Sequence, residues 1–334
     1  MTSQSPNPPA RDDNAGRPQN YWAQSERAGL CDALERFGAQ APTLCEGWTA
    51  KDLAGHLIVR EGRPKLAQDD EALTRLATGE VFTAGQALKN GRRNKVLVAT
   101  KFYSKVGPLP NDVGGSRKHV MDAVEASLRR LDIDTIDLYQ MHRPDPNTPI
   151  EETLRALDDL VKAGKVRYIG CSGYAGWQLV EALWTSKAQH LNPYVSVQPE
   201  YNMLSRSIEK KLIPACQKYD IGIIPYWPLA GGFLTGKYKR GAARPDDTRG
   251  SKRPGSLDRW TTEANFDVLE ALEAFATTRG HTLAELAVAW LLARPQVDTV
   301  ICGVSRAEQV VLNAKAADWK LTADEMKELD GILA

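Results

Sequence analysis

The stretch that decides the fold is Val-Leu-Val-Ala-Thr-Lys-Phe at residues 96–102, followed on the next predicted strand by Asp-Leu-Tyr-Gln-Met-His at residues 137–142. Each is a short apolar run that ends in a polar side chain, Lys101 in the first and His142 in the second. Short runs of this kind, separated by amphipathic helices, predict a parallel sheet covered by helices. A parallel barrel carries its chemistry at the C-terminal ends of its strands, so we expect Lys101 and His142 to lie in one site.

The alternation of strand and helix continues to the end of the chain. Strands are predicted at 95–102, 136–142, 166–171, 195–199, 221–226 and 298–302. The helix after the second strand is expected to begin with a capping box and proline at Thr148-Pro149-Ile150-Glu151. No Gly-x-Gly-x-x-Gly follows the first strand, which argues against a Rossmann sheet. The pattern predicts an α/β fold of the (β/α)8 TIM-barrel type, incomplete because six β-α units are visible, with a helical N-terminal segment.

Composition divides the chain into three parts. Residues 1–20 are rich in Pro, Asn, Asp and Ser and are predicted to be disordered. Residues 21–78 form the helical segment, in which Leu30, Leu34 and Phe37 share one helix face. Residues 79–334 form the barrel-like part.

Bulk properties exclude several classes of protein. The 334 residues include 43 basic and 42 acidic side chains and carry a net charge of +1, which does not favour nucleic acid or an anionic membrane as partner. No apolar run approaches the roughly 20 residues of a membrane span, and the N-terminus lacks the apolar core of a secretory signal. The five cysteines are widely spaced without a Cys-x-x-Cys pair, so we expect no disulfide framework and a cytoplasmic location.

Six short motifs in order make residues 79–334 similar to the aldo-keto reductase family. They are Ala-Thr-Lys-Phe at 99–102, Met-His-Arg-Pro-Asp at 141–145, Tyr-Ile-Gly-Cys-Ser-Gly at 168–173, Gln-Pro-Glu-Tyr-Asn at 198–202, Trp-Pro-Leu-Ala-Gly-Gly-Phe-Leu-Thr-Gly-Lys-Tyr at 227–238 and Gly-Val-Ser-Arg-Ala-Glu-Gln at 303–309. Each motif alone is weak, whereas the ordered series is specific. The resemblance implies a β/α barrel that binds NADP(H) and reduces small-molecule carbonyl substrates to alcohols.

The resemblance also implies roles for individual residues. Lys101 matches the lysine that lowers the pKa of the family's catalytic tyrosine, and His142 matches the histidine that orients the substrate carbonyl. The implied cofactor-binding residues are Ser172, Gln198 and Tyr226 at the nicotinamide, Trp227, Leu229, Gly231 and Lys237 along the pyrophosphate, Arg249 in the long loop, Gly303, Ser305 and Arg306 at the 2′-phosphate, and Gln309 and Asn313 at the adenine. Gly173 stands where the family usually has Asn or Glu, so one nicotinamide contact is missing.

The chemistry of the last site agrees with a phosphate. Ser305 and Arg306 lie between a predicted strand and the start of a helix, where backbone N–H groups and the helix dipole favour an anion. A guanidinium adds charge-assisted hydrogen bonds. A cationic site of this kind argues for NADP(H) over NAD(H).

The front of the family's barrel is not recognisable in the sequence. Nothing in residues 1–80 matches the Asp-Thr-Ala…Tyr-Gly motif that supplies the family's catalytic aspartate and tyrosine, and Tyr21 is the only tyrosine before position 100. Residues 41–57 instead resemble the N-terminal part of the mycothiol-dependent maleylpyruvate isomerase-like, DinB-type helical bundles. In that family a histidine at the position of His56 can ligate a metal, but one lone histidine does not make a metal site, and we predict none.

Three functional hypotheses follow from these matches. The first is an NADP(H)-dependent reductase that lacks the usual tyrosine and aspartate, with Tyr103 as a replacement acid if its strand continues past Lys101. The second is an NADP(H)-binding protein without catalysis, and the third is a non-productive fusion. Because a barrel without its first two strands has unpaired edges, self-association through those edges is also expected.

Overall fold

The computed structural model describes residues 93, 97–246, 248–253, 255–303 and 307–334. The strands are β1 (Ala99–Phe102), β2 (Ile136–Met141), β3 (Val166–Ser172), β4 (Tyr194–Gln198) and β5 (Gly222–Ile223). The α-helices are α1 (Arg117–Leu131), α2 (Ile150–Lys162), α3 (Gly176–Ala188), α4 (Leu212–Tyr219), α5 (Arg249–Lys252), α6 (Glu263–Thr277), α7 (Leu283–Leu292), α8 (Ala307–Lys315) and α9 (Ala323–Ile332). Short 3-10 helices occupy Ser207–Lys210, Ala230–Thr235 and Ala316–Asp318.

The strands form one parallel sheet in chain order, β1-β2-β3-β4-β5. A parallel sheet in which neighbours in the chain are neighbours in space, with a helix after most strands, is the arrangement of a β/α barrel. The predicted fold class is confirmed: the described part of the chain is an α/β fold consistent with an incomplete (β/α)8 barrel.

Two rows of side chains across the sheet show how its faces differ. The first row contains buried apolar side chains at every strand, namely Phe102, Met141, Cys171, Val197 and Ile223. The row beside it is polar or small, namely Lys101, Gln140, Gly170, Ser196 and Gly222. Because side chains alternate along a strand, the apolar row packs in the core and the polar row lines the opposite face.

Space on the polar face is limited at its centre. A Cβ at Gly170 would lie 2.6 Å from Ser196 Oγ and 2.9 Å from the Ser196 carbonyl oxygen. Both distances are too short for any side chain, so only glycine fits at this point of β3. This close approach of β3 and β4 lies two residues before the strand ends at Ser172 and Gln198.

The helices match the sequence pattern closely. Helix α1 buries Val120, Val124, Leu128 and Leu131 as predicted, and the Ser116 side chain caps its first turn. Helix α2 begins at Ile150, but the expected capping box is wrong, because Pro149 is the N-cap and makes no side-chain cap. The Thr148 hydroxyl donates instead to Asp145 at 2.8 Å.

Several predicted elements are corrected. No strand forms at 298–302. Val297 makes one isolated bridge to Ile223, the Asp298 N–H donates to the Ile223 carbonyl, and the Ile301 N–H donates to the Pro225 carbonyl. These bonds are too widely spaced to form a ladder. The strand predicted at 221–226 is reduced to Gly222–Ile223, and beyond it the pairing continues only through single bonds, from the Ile224 N–H to the Val197 carbonyl at 3.0 Å and from the Tyr226 N–H to the Pro199 carbonyl at 2.9 Å. The helix expected at 208–218 is split between a 3-10 turn and α4. The chain thus shows five described strands where six were expected.

The N-terminal predictions, for residues 1–20 and for the helical segment including His56, lie outside the described residues. Within the described ranges, no helix is both long and apolar enough to cross a bilayer. The same ranges contain no group of three or more side chains that could hold a metal ion.

Candidate functional site

Lys101 and His142 lie at adjacent strand ends. Lys101 is in register with Gln140, and the His142 backbone N–H donates to the Phe102 carbonyl at 3.0 Å, which extends the β1–β2 pairing by one residue. Both side chains are partly exposed. The structure therefore brings the two predicted residues to one edge of the sheet, as the parallel pattern required.

Asp145 fixes the loops that follow these two strands. Its carboxylate accepts hydrogen bonds from the backbone N–H of Gly115 at 2.7 Å and of Asn147 at 3.0 Å, and from the Thr148 hydroxyl at 2.8 Å. Burial alone would raise the pKa of Asp145, but these bonds outweigh it and hold the pKa below its usual value. A charged Asp145 thus ties the segment after β2 to the segment before α1.

Ser172 and Gln198 are both 3% exposed and are joined by hydrogen bonds. The Ser172 hydroxyl donates to the Gln198 carbonyl oxygen at 2.7 Å, and the Gly173 N–H donates to the same oxygen at 3.1 Å. The Gln198 amide nitrogen makes a long contact of 3.5 Å with the Gln140 side-chain oxygen. The two predicted residues therefore form one rigid unit at the ends of β3 and β4.

Gln140 was not identified from the sequence, although it lies two residues before His142 and hence on the same strand face. Its amide nitrogen is buried and finds no hydrogen-bond partner among the described residues. A buried donor without a partner is costly and is a place where a ligand acceptor fits.

Tyr226 and Trp227 follow β5 and stand edge to face, with ring centroids 6.2 Å apart. Tyr226 forms a parallel bridge with Glu200, two residues beyond Gln198. The Arg259 guanidinium lies 4.5 Å from the Trp227 ring centroid and 4.3 Å from that of Trp260, and it is paired with Glu200 at 3.0 Å. Arg259 was also missed, because only the folded chain brings it over these rings.

The segment after Trp227 has an unusual backbone. Ala230, Gly231 and Gly232 have successive φ values of 47°, 70° and 101°. Only glycine takes the last of these readily. Turns with left-handed residues can group backbone N–H groups into a concave surface that suits an anion.

Lys237 lies against this turn. A Cβ at Gly232 would be 3.1 Å from Lys237 Nζ. The neighbouring cations are neutralised by acids of α6, since Lys239 pairs with Glu273 at 3.0 Å and Arg240 pairs with Glu270 at 3.1 Å. Lys237 has no ion pair with any described residue, so its charge is available to an anionic ligand.

The other predicted cofactor residues lie in the same turn, in α5, and in or just before α8. Leu229 and Gly231 are partly exposed in the same turn, and Arg249 begins α5. Gly303 is exposed, and Gln309 and Asn313 lie on α8. Ser305 and Arg306 lie outside the described residues.

Tyr103 does not meet the condition set for a replacement acid. The strand ends at Phe102, and Tyr103 has a φ of 123°, so it does not continue the alternation from Lys101. Its ring lies 5.6 Å from the Arg143 guanidinium. A bulky residue with this backbone angle is strained and is held there by its surroundings.

Comparison with known proteins decides the family. Residues 78–334, about three quarters of the chain, match the model of the aldo/keto reductase family. The chain belongs to the aldo/keto reductase family. This confirms the principal resemblance found in the sequence, whereas the DinB-type resemblance of residues 41–57 falls outside both the matched range and the described residues.

The similar proteins are named either as a potassium channel subunit or as a reductase. A "Probable voltage-gated potassium channel subunit beta" of Arabidopsis thaliana is 38% identical over 244 residues, covering 70% of this chain and 72% of that protein. A rice protein of the same name is 37% identical over 85% of this chain and 90% of its own. The L-glyceraldehyde 3-phosphate reductase of Escherichia coli O157:H7 is 36% identical over 72% of this chain and 71% of its own.

Proposed function

We propose that the protein is an NADP(H)-dependent oxidoreductase that reduces small aldehydes and ketones to alcohols. The observation that carries this proposal is the placement of Lys101, His142, Ser172, Gln198 and Tyr226 at or just beyond the C-terminal ends of five consecutive parallel strands. Groups from different strands converge at this edge in β/α barrel enzymes. The family membership and the reductase relative in Escherichia coli support the same reaction class.

The groups at the ends of β2, β3 and β4 fit a nicotinamide carboxamide. A carboxamide needs donors for its oxygen and acceptors for its nitrogen, and the buried Gln140 amide nitrogen is an unpartnered donor. The Ser172 hydroxyl and the Gln198 side chain lie within the same hydrogen-bonded unit. The Tyr226 ring would supply the flat surface beside the nicotinamide.

The turn at residues 229–232 and Lys237 fit the pyrophosphate. The Ala230 and Gly232 N–H groups donate within the turn, so the attraction for a negative group comes mainly from the Lys237 ammonium, which has no ion pair with a described residue. On α8, Gln309 and Asn313 would hold the adenine, and Gly303, Ser305 and Arg306 precede the helix where a 2′-phosphate would lie. The guanidinium of Arg306 is the reason to propose NADP(H) rather than NAD(H).

The reaction divides between the cofactor and the chain. When bound, NADPH supplies the hydride. Lys101 and His142 would bind and polarise the substrate carbonyl oxygen, where negative charge develops. Protonation of that oxygen needs a general acid, whose contribution is typically about 10²–10⁴-fold. Since residues 1–80 contain no counterpart of the family's tyrosine motif, we infer a turnover reduced by about that factor.

A second candidate is an NADP(H)-binding protein that does not turn over carbonyls. Two observations favour it: no tyrosine lies between Tyr21 and Tyr103, and two similar proteins have the name of a potassium channel subunit. In this case the edge groups serve binding alone. The third reading, a non-productive fusion, predicts neither binding nor turnover.

One experiment separates the three readings. NADPH is titrated with the full chain by its fluorescence, with NADH as the comparison, and reduction of 4-nitrobenzaldehyde and of L-glyceraldehyde 3-phosphate is then followed by loss of NADPH absorbance. Binding with turnover supports the reductase, and binding alone supports the second candidate. No binding by a folded chain rejects both, and equal affinity for NADH rejects the 2′-phosphate site.

We further propose a reducing compartment such as the cytoplasm. Cys171, Cys216 and Cys302 are free thiols, and burial raises the pKa of the Cys171 thiol well above its usual value. Buried thiols of this kind are inert packing groups rather than redox centres.

A further inference from the structure

The outer surface of α3 exposes two tryptophans. Trp177 is 68% exposed and Trp184 is 51% exposed, although large aromatic side chains are usually well covered. They are seven residues apart and hence lie on the same side of the helix. The Trp184 indole N–H donates to the hydroxyl of Tyr219, an exposed residue at the end of α4, at 3.1 Å.

These tryptophans belong to a continuous stripe. Its members are spaced three or four residues apart, as on one face of a helix: Trp177, Val180, Glu181, Trp184, Lys187 and Ala188. All are exposed or partly exposed. Helix α3 uses a different face, with Leu179, Ala182 and Leu183, to pack on the core. The apolar part of the stripe therefore lies outside the packed core of the described residues.

The charges of the stripe are symmetric about Trp184. Glu181 precedes Trp184 by three residues, and Lys187 follows it by three. Glu181 has no ion pair within the described part of the chain, and Lys187 Nζ lies 4.7 Å from the Trp184 ring centroid. One helix face thus carries an acid and a base at equal distances from a central aromatic residue.

We propose that this stripe is a self-association surface, on which α3 packs antiparallel against α3 of a second copy across a two-fold axis at Trp184. In that arrangement each residue before Trp184 lies at the same height along the helix pair as the residue equally far after it in the second copy. Glu181 then lies diagonally across the contact from Lys187 of the second copy, within reach of its long side chain, and this charge pair occurs twice by symmetry. A surface that complements itself in this way is what an isologous dimer requires.

The occupant is a second copy rather than an unrelated protein because both charges of each pair are on the stripe itself. Aromatic residues in the centre with charges beside them also match the usual anatomy of interfaces. An aromatic side chain buries about 150–250 Å². A stable interface buries about 800 Å² on each partner, so the stripe and Tyr219 form the centre of the contact and surrounding residues complete it.

The test is the oligomeric state of the full chain, measured by sedimentation equilibrium over a range of concentrations. We expect a dimer whose dissociation constant rises roughly tenfold or more in Glu181→Lys and in Lys187→Glu, because each change places like charges opposite each other twice. The double variant with both reversals restores the opposite-charge pairs and is expected to recover the affinity. Lys327→Glu, an exposed change on α9, is the matched control and leaves the dimer unaffected.

Trp184→Ala is expected to give a monomer with an unchanged far-ultraviolet circular dichroism spectrum. A monomeric wild-type chain overturns the proposal and leaves another protein as occupant. An oligomer that responds to none of the stripe variants also overturns it and points to pairing through open strand edges. Failure of the double reversal to recover the affinity rejects the antiparallel arrangement.

Discussion

The Asp145 carboxylate accepts a 2.7 Å hydrogen bond from the backbone N–H of Gly115, across thirty positions of the chain. A Cβ at the neighbouring Gly114 would lie 2.4 Å from the same carboxylate, so the two loops fit together closely. The strand ends carrying Lys101 and His142 lead directly into these loops. We therefore expect the charged Asp145 to help hold the loops that follow both candidate site residues.

Asp145→Asn tests this dependence. Hydrogen bonds to a charged group contribute about 1.5–3 kcal/mol, so we expect the free energy of unfolding to fall by about 2 kcal/mol in urea at neutral pH. Asp246→Asn, at an exposed loop residue, is the control and is expected to change the free energy of unfolding little. Equal effects of the two substitutions would contradict the structural role.

The same residue predicts a pH dependence. The folded pKa of Asp145 is lowered below the ordinary 3.8, so the unfolded chain takes up the proton first as the pH falls. Its contribution to stability is complete above the ordinary pKa and is lost as the pH falls through the folded pKa. The stability difference between wild type and Asp145→Asn should thus be full at pH 7 and shrink below pH 4, as measured by urea unfolding at each pH. A difference independent of pH would show that the charge is not responsible.

Lys237→Met tests the pyrophosphate site. Removing the unpaired ammonium is expected to weaken NADPH binding by roughly tenfold, which corresponds to about 1.4 kcal/mol. The matched control is Lys239→Met, two residues away. The Lys239 ammonium is already paired with Glu273, so this substitution should leave the NADPH affinity unchanged. Fluorescence titration measures the NADPH affinity of both variants. A similar loss of affinity in the two would mean that Lys237 acts only through the net charge of this surface and not through contact with the pyrophosphate.

Gly232→Ala tests the turn. With φ at 101° and Lys237 Nζ 3.1 Å from the new Cβ, alanine is expected to destabilise the fold by about 1–2 kcal/mol and to weaken NADPH binding as well. Gly331→Ala in α9 meets no atom within 4 Å and should be neutral or stabilising, since alanine is the better helix former. Thermal unfolding with and without NADPH measures both effects. Unchanged binding in Gly232→Ala would remove the turn from the cofactor site.

Lys101→Met separates chemistry from binding. If the chain reduces carbonyls, this substitution is expected to lower the turnover about a hundredfold or more, as does the loss of one group that stabilises a developing oxyanion, while NADPH affinity stays within about threefold. Lys105→Met, at an exposed residue of the following loop, serves as the control. A parallel loss of affinity in Lys101→Met would place Lys101 in the cofactor site instead.

Much of the fold could be predicted because local patterns control it. The apolar stripe of α1 and the short apolar run of β2 need no information from distant residues, and the bounds of both elements were predicted to within one or two positions. The prediction failed at the ends of elements: the Thr148 hydroxyl bonds to Asp145, three residues before it, instead of capping α2, and β5 continues beyond Ile223 only through single bonds. At the candidate site, the roles of the motif residues stay predictions; Gln140 could have been added from its spacing of two residues before His142, whereas Arg259 is brought to the rings of Trp227 and Trp260 only by the folded chain.

Because each strand lies beside its predecessor in the chain, the groups along the sheet edge follow the order of the sequence. The proposed carbonyl-polarising groups come first and the proposed dinucleotide-binding groups come later. A substitution in the first described strands would therefore act on the proposed carbonyl-polarising groups, and one in the later segments would act on the proposed dinucleotide site. Activity and cofactor binding should therefore be separable by substitutions at the two ends of the same sheet edge.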